Sequence, residues 1–250
     1  MKKTAWQPLP EPFDKDFRYF LVVVWRHLQL PDPTPVQLDI AEYMQQGPKR
    51  RIVEAFRGVG KSWMAAAYTL WLLRNDPQKK IMVVSASKVR ADDFAQFCLR
   101  LIREMPLLQC LEPDRDDQRS ASNRFDVRPA IPDQSPSVKS VGVFGQLTGS
   151  RADLILADDT EVPNTSWTVG MREKLISCVG EFNAILKPGG EIMMLGTPQT
   201  EESVYNKLRM RGYDCRIWPA RYPERPAKYG DALAPMILEG CDSSPNKPTD

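Results

Sequence analysis

The segment RRIVEAFRGVGKSWMAAAY, Arg50 to Tyr68, frames the rest of the chain. It carries almost all of the phosphate-loop pattern G-x-x-x-x-G-K-[ST], in which glycines let backbone N–H groups close around phosphate oxygens. Gly60, Lys61 and Ser62 stand in place, Gly58 and Arg57 lie inside the loop, and Ala55 occupies the first position, where the pattern has glycine. A bare GK[ST] tripeptide arises easily by chance, so its surroundings carry the argument. RIVEAF (51–56) is an apolar, β-branched run suited to a buried strand. SWMAAAYTLWLLR, from Ser62, is rich in Ala and Leu, holds no Gly or Pro, and fills a helical face with apolar residues. Strand, glycine-containing turn and helix follow one another, and the helix N-terminus adds its positive dipole end to the loop. Trp63, directly after Ser62, is taken with Gly58 and Gly60 as a nucleotide contact.

At 250 residues the chain can bury one good core with a small appendage. A net charge of +2 does not exclude nucleic acid, because a basic face can be balanced by acids elsewhere. The five cysteines, Cys98, Cys110, Cys178, Cys215 and Cys241, are dispersed with no C-x-x-C and no metal spacing. They read as reduced thiols in a cytosol-like compartment, each a small core hydrophobe. The single histidine, His27, lies in an apolar helical stretch and reads as structural, so zinc chemistry is not expected. The longest apolar run, YFLVVVW (19–25), falls far short of the ~20 residues that span a bilayer. The polar N-terminus lacks a signal-peptide cleavage pattern. EGCDSSPNKPTD (239–250) is polar and turn-rich and reads as a linker or cut end, not as a packed terminus.

Residues 13–30 read as a helix, followed by the breaker LPDPTP. Thr34 as N-cap, Pro35 at the first helical position and Gly47 at the end predict a second helix. Strands at 51–56, 81–85, 138–144, 153–157, 191–195 and 213–218 then alternate with helices at 61–75, 87–104, 167–186 and 201–211. Residues 106–137, rich in Pro, Asp and Arg, form a long excursion with one short strand at 123–128. The alternation predicts an α/β fold, a mostly parallel central sheet with helices on both faces. Ligands in such sheets bind at the carboxyl ends of the strands.

DLILADDTE (153–161) is an apolar strand ending in carboxylates, as a Walker B strand does to hold Mg²⁺ beside phosphates. Asp158 is assigned to the metal with Ser62. Asp159 and Glu161 compete to orient the attacking water. MMLGTPQT (193–200) ends a further strand in small and hydroxyl residues. Thr197 and Gln199 are placed to sense a γ-phosphate, beside the plainer reading of a Gly-Pro turn before a helix capped by Thr200. Gln37 offers an amide able to pair with an adenine edge. Gly149, Ser150 and Arg151 precede the Walker B strand, and Arg151 is either buried with Asp153 or turned to a phosphate.

In order and spacing, AFRGVGKS, VSASKVRAD, SPSVKSVGVFGQLTGSRADLILADD, MREKL and LGTPQT resemble the ATPase domain of phage large terminases, nearest those of short-tailed coliphages, from about Phe17 to Met236. The resemblance implies a RecA-like (ASCE) P-loop ATPase using ATP and Mg²⁺, a viral DNA-packaging motor that translocates double-stranded DNA into a procapsid. It makes Ala55 a family variant and Arg57 an arginine finger acting within the subunit, while Arg151 is expected to reach a neighbour's ATP. It implies a Q-motif role for Gln37 and a coupling role for Gly196, Thr197 and Pro198. The implied partners are a portal, a small terminase subunit and sister subunits in a pentameric ring, with a monomer when isolated and no membrane. The implied place is the cytoplasm of an infected bacterium, with transient docking on the procapsid portal and no seat in the mature virion. Residues 1–212 are expected to form the ATPase domain with an N-terminal helical extension. Residues 213–250 are expected to supply a last strand and a lid or linker towards a nuclease domain absent from this chain. A helicase needs a second motor domain and a small-molecule kinase a lid and acceptor pocket. A nucleotide-gated docking protein with little hydrolysis when isolated is the non-enzyme alternative.

Overall fold

The computed structural model describes residues 6–114, 116–199, 202–242 and 244–250. Two helices lead in. α1 (Phe17–His27) is capped by the Asp16 carboxylate, which accepts from the Arg18 N–H. α2 (Pro35–Gln46) opens on a capping box: Thr34 Oγ1 accepts from the Gln37 N–H, and Gln37 Oε1 accepts from the Thr34 N–H. The expected cap at Thr34 and end at Gly47 are both found. α1 is shorter than the expected 13–30, because residues 11–15 turn ahead of the Asp16 cap and Gln29 adopts a left-handed φ of 56°.

The alternation then runs β1 (Arg50–Ala55), α3 (Lys61–Asn75), β2 (Ile81–Ser85) and α4 (Lys88–Glu104). The excursion follows, with two short strands, β3 (Ser120–Ala121) and β4 (Arg124–Phe125). β5 (Val138–Gly142), β6 (Ala152–Asp158), α5 (Pro163–Ser166), α6 (Val169–Gly180), α7 (Phe182–Ile185), β7 (Leu186–Gly196), α8 (Val204–Arg209), β8 (Asp214–Trp218) and α9 (Pro235–Cys241) complete the chain. The strand order is β3-β4-β5-β2-β6-β7-β1-β8, and all pairs are parallel except β3 with β4 and β4 with β5. β7 stands between the phosphate-loop strand and the acidic strand. Its Leu195 is in register with Val53 on one side and Asp158 on the other. The carboxyl ends of β1, β7 and β6 therefore open at one edge.

Successive residues of these strands enter two separate cores, one on each face of the sheet. Val53, Leu154, Leu156, Met193 and Leu195 pack under α1 to α4, while Ile52, Ile155, Ala157, Ile192 and Met194 pack under α6 to α8. α3 is buried almost all round, and its Ala65, Ala66 and Ala67 let it lie close to the sheet. Phe17 of α1 meets Tyr68 edge-on at 5.0 Å and Trp71 at 5.7 Å between ring centroids. Arg51, fully buried on β1, joins three elements: it donates to the Met44 and Pro48 carbonyls and to Glu191 Oε2 at 2.7 Å. His27 bonds Glu104 at 3.3 Å and ties α1 to α4, a structural role as expected. All five cysteines are free thiols, and four are buried.

Three expectations are corrected. The helix expected at 167–186 breaks into α6 and α7, and from Leu186 the chain is already strand, because Leu186 pairs with Ala152. β7 thus starts before the expected 191, with Gly189 at φ 79° in the stretch where the register shifts. The helix expected at 201–211 is α8, capped by Ser203; the alternative cap Thr200 lies outside the described residues. The polar end is packed: Ile237 and Cys241 enter the core, the Asn246 N–H donates to Tyr222 O, and Thr249 Oγ1 donates to Pro219 O at 2.7 Å. Among the described residues no helix is long and apolar enough to cross a membrane.

Gly196 ends β7 under the ring of Tyr205, and a Cβ there would sit 1.8 Å from the phenolic oxygen. Gly196→Ala is expected to cost about 1–3 kcal/mol through overpacking, read as a lower denaturant midpoint at unchanged m. An unchanged midpoint would contradict this packing.

Candidate active site

The loop between β1 and α3 depends on two glycines in left-handed conformation, Gly58 at φ 94° and Gly60 at φ 85°. Ala55 needs no such freedom. It is the last residue of β1, paired with Trp218 of β8, so a Cβ is accepted where the usual pattern has glycine. Gln37 clamps the loop from outside. With its oxygen held in the capping box, its Nε2 donates to Val59 O at 2.9 Å. Both ends of the amide expected to read adenine are thus engaged with the chain itself.

Lys61 opens α3 and folds back over the loop. Its Nζ donates to Ala55 O at 2.8 Å, Phe56 O at 3.0 Å and Thr197 Oγ1 at 3.1 Å. Thr197 in turn donates to Ala55 O at 2.8 Å. Burial lowers the lysine's pKa, while Asp159 and Asp158 oppose that shift.

Asp158 is buried at the end of β6, and its carboxyl is pushed up to about 6. Burial is the main cause, the Ser62 hydroxyl pulls the other way, and Asp159 raises it further. One carboxylate oxygen, Oδ1, is buried with no hydrogen-bond partner. An unsatisfied anionic oxygen beside a serine hydroxyl and next to a phosphate loop suits a hard divalent cation, so Ser62 and Asp158 fit the Mg²⁺ assignment.

Asp159 and Glu161 are separated by their surroundings. Asp159 has a left-handed φ of 45°, which aspartate tolerates, and its N–H donates to Leu195 O. It lines the same cavity as Lys61 and Arg57. Glu161 is buried and fully engaged: Oε1 accepts from the Gln199 N–H at 2.9 Å, and Oε2 accepts from Ser203 Oγ at 2.8 Å and the Val204 N–H at 2.6 Å. It fastens the loop after β6 to the loop after β7 and to the start of α8. Arg57 extends that chain by donating to Gln199 Oε1 at 2.9 Å, and Gln199 Nε2 returns to Thr197 O at 2.8 Å.

Arg57, Lys61, Ser62, Asp159, Glu161, Thr197 and Gln199 line one cavity of about 540 Å³, and Asp158 lines an adjoining one together with Ser62. Trp63, 44% exposed, stands at its wall and packs edge-on against Trp25 at 6.3 Å. Arg90 also lines it and acts electrostatically on Asp158. Sequence reasoning passed Arg90 over. The signal was the Ser87 cap of α4, which accepts from the Arg90 N–H and puts that residue in the first turn at the strand edge.

Arg151 is not brought to this cavity, which corrects the expectation that it lies at the ligand edge. It precedes the amino end of β6, about 20 Å from Asp158 at 3.3 Å per residue. Its guanidinium donates to Ala184 O at 2.7 Å. Nor is it paired with Asp153, whose Oδ2 accepts from Lys187 Nζ at 3.0 Å and the Lys80 N–H at 2.7 Å.

No family model matches the sequence. The large terminase subunit of Enterobacteria phage T3 is 49% identical over 246 residues, which cover 94% of this chain. The chain belongs to the phage large terminase family. It spans 42% of that relative's length. Among solved structures, the yeast DEAD-box splicing factor Prp28 is 13% identical over 84% of this chain and 51% of its own, with a TM-score of 0.52. The ATPase domain of the Thermus phage P74-26 large terminase is 18% identical over 70% of this chain and 68% of its own, with a TM-score of 0.39. The fold is that of RecA-like ATPase domains.

The raised Asp158 value gives a test of this terminase site without nucleotide. Folding favours the neutral carboxyl, so the stability it lends is present below about pH 4 and lost as pH rises through about 6. In chelator, Asp158→Asn should melt with wild type at the acid end and above it at pH 7–8, by an amount on the order of 3 kcal/mol. Parallel melting curves across this range would contradict the buried, unpaired carboxylate.

Proposed function

We propose that this chain is the ATP-hydrolysing motor part of a viral DNA-packaging terminase, using Mg²⁺-ATP to drive double-stranded DNA into a procapsid from a ring on the portal. Membership of the large terminase family supports general ATPase chemistry. The observation that carries the reading is the convergence of Lys61, Asp159, Arg57 and Thr197 on one cavity at the ends of three adjacent strands, with Asp158 lining an adjoining cavity that shares Ser62, Trp63 and Arg90.

In this reading the loop N–H groups and Lys61 hold the β- and γ-phosphates, and Arg57 stabilises charge on the equatorial oxygens from within the subunit. Ser62 and Asp158 would hold Mg²⁺, which when bound would supply positive charge against the phosphates. Asp159 orients the attacking water, Trp63 borders the base, and Gln37 acts by holding the loop at Val59 O. Glu161 is a positioning residue. Loss of the γ-phosphate is passed on through Arg57, Gln199 and Glu161 to α8, and through Thr197 to β7. Partners, ring and procapsid docking are read from the whole terminase subunit, and this chain spans 42% of that relative's length. Arg151, distant from its own cavity, serves a neighbouring subunit only if that subunit presents its phosphates to the opposite sheet edge.

Steady-state ATP turnover and nucleotide binding test these roles. Lys61→Ala should lower turnover by orders of magnitude with the melting temperature kept, and near wild-type hydrolysis would sink the phosphate-loop role. Asp159→Asn should bind ATP and fail to turn it over without losing stability. Glu161→Gln should cost about 1–3 kcal/mol of stability by leaving a buried donor unpaired, with a milder effect on turnover. The reverse ranking would move the base to Glu161.

A further inference from the structure

Beyond the nucleotide cavity, the sheet carries a second concavity of about 700 Å³, bounded by the start of α4, the β4–β5 ladder and the loop 143–150. Lys88, Arg119, Arg124 and Lys139 line it, and none of its lining residues is Asp or Glu. Two of these cations are answered locally. Lys88 pairs with Asp92, and Arg119 pairs with Asp126 at 2.7 Å and donates to the Asp133 and Gln134 carbonyls. Arg124 and Lys139 are directly opposed across the β4–β5 ladder. Like charges in that position destabilise a sheet. Lys139 Nζ donates to the Ser150 hydroxyl at 3.2 Å, and its pKa is lowered first by burial and then by Arg124. Among the described residues no carboxylate pairs with either cation. Gly149, on the same wall, has a φ of 85° and open space where a side chain would stand, so its backbone is accessible.

Two facing cations without a counter-charge ask for an anion from outside. The wall that presents them is polar and offers a single aromatic ring: Phe144 is 39% exposed, with Lys174 Nζ at 4.6 Å from its centroid. Unstacked bases would need a row of such rings on which to stack in succession; a phosphate backbone needs only charge and donors. β5, five residues long, gives the groove a length of about 17 Å, enough for several consecutive phosphates of one strand.

We propose that this groove grips the phosphodiester backbone of double-stranded DNA, with Arg124 and Lys139 each neutralising a phosphate and Ser150 and the Gly149 backbone approaching it. The identity of the polymer rests on the motor reading above; the anion site rests on the opposed cations.

The test is the anisotropy of a labelled random-sequence duplex titrated with the chain across a salt series. Loss of two phosphate contacts in Arg124→Gln/Lys139→Gln should flatten the slope of log K against log salt by about 1.8 and weaken binding at least tenfold at low salt. Lys139→Arg, which keeps the charge, should keep the slope. The double variant should melt no lower than wild type, since it relieves a like-charge pair, and inorganic phosphate should raise the melting temperature of wild type more than that of the variant. An unchanged slope, no duplex binding by wild type, or tighter binding of a single strand than of the duplex overturns the proposal. Displacement of duplex by poly-glutamate as readily as by unlabelled duplex overturns it in favour of an acidic protein surface. DNA-free ATP turnover is measured alongside and should not change in the variant. If wild type itself hydrolyses no ATP, the motor reading fails while the titration still decides the groove.

Discussion

The parallel register of β1, β7 and β6 is the constraint on which the rest of the structure depends. Val53, Leu195 and Asp158 lie in one row across three strands, so the chain leaves the sheet three times at the same edge and at the same height. Lys61, Thr197 and Asp158 follow from those exits. A one-residue slip of β7 would turn Met193 and Leu195 from one core to the other and carry Thr197 away from the lysine. The two cores hold the register because both faces of the sheet are covered, and each strand residue is committed to one of them.

The same edge concentrates groups that burial disfavours. Lys61 is driven towards its neutral form and Asp158 towards its own, each restrained by the other's charge. Lys61 meets this with two carbonyls and a hydroxyl, whereas Asp158 keeps one oxygen without a partner. A site whose acid is unsatisfied and whose lysine is satisfied only by neutral carbonyl and hydroxyl oxygens is prepared for a cation and an anion together, as a metal–phosphate ligand provides. The links from Arg57 through Gln199 to Glu161, Ser203 and Val204 give such a ligand a route into α8.

The phosphate loop, the acidic strand end and the alternating α/β plan were legible because each has a local cause. Gly58 and Gly60 signal left-handed backbone, Thr34 and Pro35 signal a helix start, and apolar runs ending in Asp158 or Thr197 signal buried strands. The choice between Asp159 and Glu161 was not legible. It turns on the Ser203 and Val204 donors, 42 and 43 residues away from Glu161 in the chain. Arg151 was misjudged for a related reason: glycines ahead of it, Gly145 and Gly149, say that a backbone is free, not at which end of a strand it stands. The break between α6 and α7 was hidden because Leu186 follows helical sequence yet has a sheet partner in Ala152, a tertiary pairing that overrides propensity.

A structure of the chain with a non-hydrolysable ATP analogue and Mg²⁺ tests the central claim most directly. In that complex Lys61 Nζ should leave the Ala55 and Phe56 carbonyls for the β- and γ-phosphates, the metal should sit between Ser62 and the unpaired oxygen of Asp158, and Glu161 should keep its three donors. A nucleotide bound elsewhere, or one bound in this cavity while Lys61 keeps both carbonyls, would contradict it.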